Sequence, residues 1–368
     1  MRRHAALTPL LIRFGRIGDM VLQAPLLHLL RARYGRPCRL LSAGPWSSEL
    51  FRAHPDVDEV WQLRARHRPL FTSTDQWRLV SALRRHEGPI YISEDVPRHI
   101  ARIKNLLARA DIAPDRCVFL SNQIDAQGHW VDRLLRFGRS TPAAIDGEKY
   151  TAAPEDFLLA PQLHVTAADR DDCRAWLRAR GAEGRAVVLF QCGNKRATRW
   201  HLRRKADPKE WPEFCWAELL RAVRAELPNA YLLLCGASGE TRTLARMCAS
   251  AACAANVATG ELPLRRMLAL MSIASSMVSV DTGPAHMAAA VGCPLVVIYG
   301  SESPTVWARR SPLRKPVIEL GGPPESHSAS AIAVDHVVAA WRALGTEPAG
   351  ELWNHDLVAG LNRHCSAS

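Results

Sequence analysis

"LIRFGRIGDMVLQAPLLHLLRARYG", residues 11–35, opens as an apolar run, breaks at Gly15 and Gly18, and continues with apolar residues at helical spacing. This reads as a strand, a tight turn and a helix, the unit from which parallel sheets are built. An acid, Asp19, stands at the joint. The spacing is not G-x-G-x-x-G, and a dinucleotide pyrophosphate brought to this turn would meet a carboxylate, which argues against an oxidoreductase. Two roles fit Asp19 from these residues alone: an N-cap for the helix, or a general base that takes a proton from a hydroxyl at the mouth of a site. Pro25 deletes one helical hydrogen bond and predicts a kink.

The same strand-and-helix alternation recurs on both sides of a break. In the first half, "TPLLIRF", "CRLLSAG", "EVWQL", "PIYIS" and "CVFLS" read as strands, with "LLHLLRARYG" and "RHIARIKNLLARA" among the helices. Residues 138–184 lose this rhythm in a Pro-, Gly-, Ser- and Thr-rich stretch. A second series then starts: "RAVVLFQ", "AYLLLCG", "SMVSVD", "PLVVIYG" and "PVIEL" as buried strands, with helical patterns between them and a closing helix in "AVDHVVAAWRAL". The expected class is α/β, with two doubly wound parallel-sheet domains whose strand ends line a cleft. A chain of 368 residues has room for two such cores.

Apolar residues at 48% and charged residues at 23% describe a packed globular protein. No apolar run reaches the roughly 20 residues that span a bilayer, so a cytoplasmic location is expected. The ten cysteines show no zinc-type spacing and read as buried small apolar residues in a reducing compartment, and no metal site is indicated. A formal charge of +12 predicts an anionic partner: nucleic acid, phosphorylated lipid or a membrane surface. Charge alone does not choose among these.

A second joint is more specific. In "VSVDTGPAHMAAAVG", residues 278–292, a strand ends at Asp281, Thr282 and Gly283 turn, Pro284 takes the first helical position, and Gly292 ends the helix. The backbone N–H groups and positive dipole end at such a helix start attract phosphate, and glycine lets an anion approach closely. His286, in the first turn, could donate to the same anion. The alternative is that Asp281 and Thr282 cap the helix and His286 is an incidental surface residue.

Together, "RFGRIGDMVLQAPLLHLL" and "VSVDTGPAHMAAAVGCPLVVIYGSESPTVW" resemble the ADP-heptose lipopolysaccharide heptosyltransferases, glycosyltransferase family 9, over most of the chain. The resemblance implies a GT-B fold of two Rossmann-like domains facing across a cleft. It implies domains at 1–165 for the acceptor and 166–345 for the nucleotide sugar, with 346–368 a tail that packs back on the first. Asp19 is then the base that deprotonates an acceptor sugar hydroxyl. "KEWP" at 209–212 makes Lys209 the cation near the donor phosphates, "CGASGE" makes Glu240 the ribose-binding acid, and "GELPL" places Leu262 against the adenine. Asp281, Thr282, Gly283 and His286 complete the implied donor set.

The implied reaction is an inverting displacement with no cofactor beyond the nucleotide sugar, expected to be ADP-heptose. Lys209 and the Thr282 and Gly283 amides stand in for a metal, and no DxD-like acidic pair is evident. The family usually has a short loop where residues 194–208 are basic, so Lys195 or Arg196 is a second candidate for the work of Lys209. Helical spacing in "RHIARIKNLLAR" puts Arg98, Arg102 and Arg109 in one sector, opposite Ile100, Ile103 and Leu107. Such a row suits the carboxylates and phosphates of an anionic lipid-linked saccharide such as a Kdo-bearing lipid A core, or is an ordinary solvated face. The expected partners are thus a nucleotide sugar, that acceptor and peripheral contact with the inner membrane, with no nucleic acid. The rivals are transfer of another sugar or to a later core position, and a noncatalytic regulator of saccharide synthesis on the same fold.

Overall fold

The computed structural model describes residues 6–64, 73–122, 127–150, 159–193 and 207–345. Most of the basic insert, with Lys195 and Arg196, and the expected tail at 346–368 lie outside the described residues. The chain divides into two compact units. The first comprises residues 1–166 with 282–291 and 303–314; the second comprises 167–281, 292–302 and 315–368.

The first unit runs β1 (Leu10–Arg13), α1 (Ile17–Val21), α2 (Ala24–Tyr34), β2 (Cys38–Ser42), α3 (Trp46–Leu50), β3 (Val57–Gln62), α4 (Thr74–Arg84), β4 (Ile90–Ile92), α5 (Pro97–Arg109), β5 (Cys117–Phe119) and α6 (Trp130–Arg139). Its five strands are all parallel, in the order β3-β2-β1-β4-β5. Leu10, Ile12, Ile90 and Ile92 pack with Leu79, Leu83, Ile103 and Leu107 of α4 and α5 into one core. Beyond α6 the chain is stapled by buried Arg33, which donates to Ser140 O at 3.0 Å, Thr141 Oγ1 at 2.7 Å and Tyr150 O at 3.1 Å. That ties the turn-rich segment 138–150 to α2.

The second sheet is built from α7 (Ala167–Ala179), β6 (Val187–Gln191), α8 (Glu213–Glu226), β7 (Tyr231–Gly236), α9 (Thr241–Ala251), β8 (Asn256–Thr259), α10 (Leu264–Ile273), β9 (Ser276–Val280), β10 (Leu295–Tyr299), β11 (Val317–Gly321) and α13 (Val334–Ala343). Between its strands lie α11 (Gly283–Ala290) and α12 (Pro304–Trp307), which pack with the first unit. The order is β11-β10-β9-β6-β7-β8, again all parallel. Counted from β6, this is the 3-2-1-4-5-6 winding of a Rossmann sheet. In each sheet the winding reverses between the first and fourth strands, β1 beside β4 and β6 beside β9. Ligands of such sheets bind outside the carboxyl ends of the strands at that reversal.

Several local expectations are corrected. Pro25 does not kink one helix: the chain breaks at Leu22 and Gln23, and Pro25 takes the second position of α2, where its missing N–H is not needed. Pro284 likewise is second, after Gly283. The "NVAT" strand β8 went unpredicted because it is a short, half-buried edge strand with little apolar content. Of the described cysteines, Cys117, Cys248 and Cys253 are only half-buried; the others are buried as expected.

Candidate active site

The chemistry-bearing residues cluster at the two reversals. In the first unit, β1 ends at Arg13, and the turn through Gly15 leads into α1, which places Asp19 at its third position. Asp19 Oδ2 accepts the Arg16 N–H at 2.7 Å, so the capping role does exist. Oδ1 lies 3.6 Å from Arg13 Nη2, and the side chain stays 27% exposed. A carboxylate has about four acceptor directions, so one bound oxygen leaves capacity for a substrate proton. Capping and base roles are therefore compatible.

Next to α1 stands the start of α11. A β-carbon on Gly18 would lie 3.0 Å from His286 Cδ2 and 3.4 Å from Gly283 Cα, and one on Gly283 would lie 3.2 Å from the Gly18 N. Two glycines thus let the Asp19-bearing turn and the Thr282 to His286 turn touch backbone to backbone. Thr282 is the N-cap residue of α11, and its carbonyl faces Arg309 Nη2 at 3.5 Å. His286 is buried, at 9% exposure, which overturns its reading as an incidental surface residue.

In the second unit, Asp281 follows β9 and is buried. Its Oδ2 receives Lys209 Nζ at 2.6 Å, and Glu302 Oε1 lies 3.4 Å from the same ammonium. Lys209 reaches this place because the Pro208 carbonyl crosses Gly300, where a β-carbon would stand only 2.0 Å away. An ammonium has three N–H donors, so two carboxylates leave one for a further anion. Glu240 lies after β7, its Oε2 accepting the Ala237 N–H at 2.7 Å. Its carboxylate leans over the end of β6, where a β-carbon on Gly193 would meet Oε1 at 1.5 Å. Burial raises the Glu240 pKa, and the Ala237 N–H works against that rise. Leu262 is half-buried in the loop ahead of α10.

The arginine row is split. Ile103 and Leu107 are buried and Arg98 and Arg109 exposed, as the spacing predicts, with Arg102 and Ile100 intermediate. A crossover helix runs antiparallel to its strands, however, so α5 starts at the carboxyl edge of the sheet and carries Arg109 about 16 Å along the axis from Arg98. Arg98 shares the edge of Asp19; Arg109 belongs to the opposite edge.

Sequence reasoning missed Arg13, Gln23, Glu94 and Asp95. Glu94 is 1% exposed at the end of β4, and Gln23 is fully buried, its Nε2 donating to Asp19 O at 2.9 Å. A charged residue closing a run as apolar as "LLIR", or two acids closing "IYIS", is the signal that pointed there.

Two doubly wound parallel sheets, each with charged residues at its winding reversal, place a candidate site as α/β enzymes do, and comparison with known proteins gives its class. Residues 159–335 match the family model of glycosyltransferase family 9 (heptosyltransferase), a match that supports glycosyltransferase activity. A search of curated proteins returned no match. Among solved structures, the chain resembles E. coli ADP-heptose lps heptosyltransferase II at 20% identity and a TM-score of 0.68, over 92% of this chain and 98% of that one. A family 9 glycosyl transferase from Veillonella parvula DSM 2008 aligns at 14% identity and a TM-score of 0.71, over 92% and 97%. The E. coli heptosyltransferase WaaC with ADP aligns at 16% identity and a TM-score of 0.66, over 92% and 100%. At these identities the likeness establishes the fold: GT-B, as the resemblance implied.

Proposed function

We propose that the chain transfers heptose from ADP-heptose to the Kdo-bearing inner core of a lipopolysaccharide precursor, with inversion at the anomeric carbon and without a metal. The observation that carries this reading is the contact of α1 with α11 through Gly18 and Gly283. It sets a carboxylate able to take a proton beside a helix start able to hold a phosphate, the two needs of a displacement that deprotonates a hydroxyl and expels a nucleoside diphosphate. Asp19 accepts the acceptor hydroxyl proton as its oxygen attacks the anomeric carbon. Negative charge then builds on the departing ADP, and Lys209 with the Thr282 and Gly283 amides balances it. Fixed cations and backbone dipoles do the work for which other transferases use a divalent ion. Glu240 holds the ribose hydroxyls, Leu262 packs on the adenine, and Arg98 leads acceptor binding. The structural relative WaaC was solved with ADP, which supports this donor class.

The +12 charge supports peripheral work at the anionic cytoplasmic face of the inner membrane, where a lipid-linked acceptor lies. No helix among the described residues is long and apolar enough to cross a membrane. The test is mass spectrometry of products after incubation with ADP-heptose or other nucleotide sugars and Kdo–lipid A, in chelator. A single added heptose from ADP-heptose alone is expected. A different sugar added, or a strict need for a divalent ion, would replace the donor or the metal-free part of the reading.

A further inference from the structure

The base proposed above does not act from an isolated loop. Arg13, 3% exposed, donates through Nη1 to Ser93 O at 2.6 Å and Asp95 Oδ1 at 2.8 Å, with Nη2 facing Asp19. Glu94 Oε1 lies 3.6 Å from Nη1. Glu94 is itself immobilised: Oε2 accepts the Phe14 N–H at 3.0 Å, and Oε1 accepts those of Asp95 and Val96 at 3.2 and 3.3 Å. The guanidinium also lies over the Trp130 ring, 5.6 Å from its centroid. Gly15 makes the approach possible, since a β-carbon there would stand 2.4 Å from Asp19 Cβ and 3.1 Å from Arg13 Nε. From the other side, Gln23 links Asp19 O to the Ser93 hydroxyl, which donates to Gln23 Oε1 at 2.8 Å.

We propose that Arg13 is a positioning residue for the transfer: clamped by Glu94 and Asp95, it holds the Asp19 carboxylate aimed at the acceptor hydroxyl. This rests on the reading of Asp19 as the base. Stability alone does not account for the arrangement. A buried ion pair seldom returns its desolvation cost, and Nε remains buried without a hydrogen-bond partner, so the guanidinium is placed to span carboxylates, not to satisfy every donor. The spacing is graded. Direct contacts go to Ser93 O and Asp95, while Asp19 sits at 3.6 Å. A bidentate pair would occupy the carboxylate, whereas this spacing orients it and leaves acceptor capacity for a hydroxyl.

The other charged or titratable groups around Asp19 are Glu94, Asp95, His99 (on Glu94, 3.4 Å), His286 beside Gly18, and Arg133, which stacks on the same Trp130 ring. Because these groups also shape the site, kcat and KM are read separately and compared with rescue by a conservative variant. In Arg13→Gln, the kcat for ADP-heptose and Kdo–lipid A is expected to fall at least about tenfold, with donor KM within about twofold. Arg13→Lys should restore most of the lost kcat. If Arg13→Gln does not fold because Glu94 loses its cation, the neutral pair Arg13→Gln/Glu94→Gln removes that burden and is expected to show the same loss of kcat. A failure of Arg13→Lys to restore kcat, or a donor KM that rises in step with the fall in kcat, overturns the proposal. So does an unchanged kcat in folded Arg13→Gln when Asp19→Asn is inactive, and that outcome spares the base. A wild-type rate in Asp19→Asn removes the base and with it the role of Arg13.

Discussion

Lys209 shows how much one side chain is asked to do. Its ammonium bonds buried Asp281 and faces Glu302, so it settles a buried carboxylate while keeping a third N–H for the nucleotide that the proposed function assigns to it. Removing it therefore has two separable effects. Lys209→Gln is expected to lower stability by about 1–3 kcal/mol, because the buried Asp281 carboxylate loses its charged bond to Lys209. It is also expected to weaken ADP binding by about tenfold or more, and calorimetry on the folded variant reads that directly. An unchanged ADP affinity would confine Lys209 to a structural role and return attention to Lys195 and Arg196. The lysine was legible in the sequence only through "KEWP"; its pairing with Asp281 was not, since 72 residues separate them and only the β6–β9 neighbourhood unites them.

At the scale of elements, strands and helices were legible wherever apolar period and turn residues agreed, as in "VVLFQ" and "SMVSV", both buried throughout. Legibility failed for β8, whose four residues carry no period, and at the α1–α2 break, where two short helices share one apolar pattern. It failed again for Glu94: an acid after an apolar strand reads as a loop residue until its backbone partners are known. The helix α5 gives a prediction of its own. Arg98, Arg102 and Arg109 share a face but not an edge of the sheet. Arg98→Gln is expected to raise acceptor KM several-fold at low salt, and Arg109→Gln to leave it nearly unchanged. Added salt should mimic Arg98→Gln, since exposed charges are screened over about 8–10 Å near physiological ionic strength. Equal effects from both ends of the helix would mean that the acceptor follows the whole row.

For the molecule as a whole, two buried histidines are expected to weaken the fold in acid. Burial, with His164 nearby, lowers the His54 pKa to about 4, and burial with Arg39 and Arg116 lowers that of His86 to about 4. Unfolding frees both to protonate near 6.5, so the unfolded state binds more protons between about pH 6.5 and pH 4. Stability should be full above that window and fall by a few kcal/mol as pH drops through it, then level off for these two groups. Denaturant unfolding of His54→Gln and His86→Gln should each show a shallower fall; an unchanged slope in both would place the acid sensitivity elsewhere. The two-sheet plan was readable because both halves repeat strand and helix, whereas the packing of α11 and 303–314 with the first unit depends on contacts remote in sequence, Gly18 on Gly283 above all. That contact underlies the central claim, that Asp19 is the base of a heptosyl transfer, and one comparison tests it most directly: turnover of ADP-heptose and Kdo–lipid A by wild type and by Asp19→Asn, followed by mass spectrometry at saturating acceptor. The amide keeps the shape and the oxygen that accepts the Arg16 N–H, so the variant is expected to fold and bind ADP normally while kcat falls by roughly 10² or more. Turnover near the wild-type rate would contradict the account and leave Asp19 a cap.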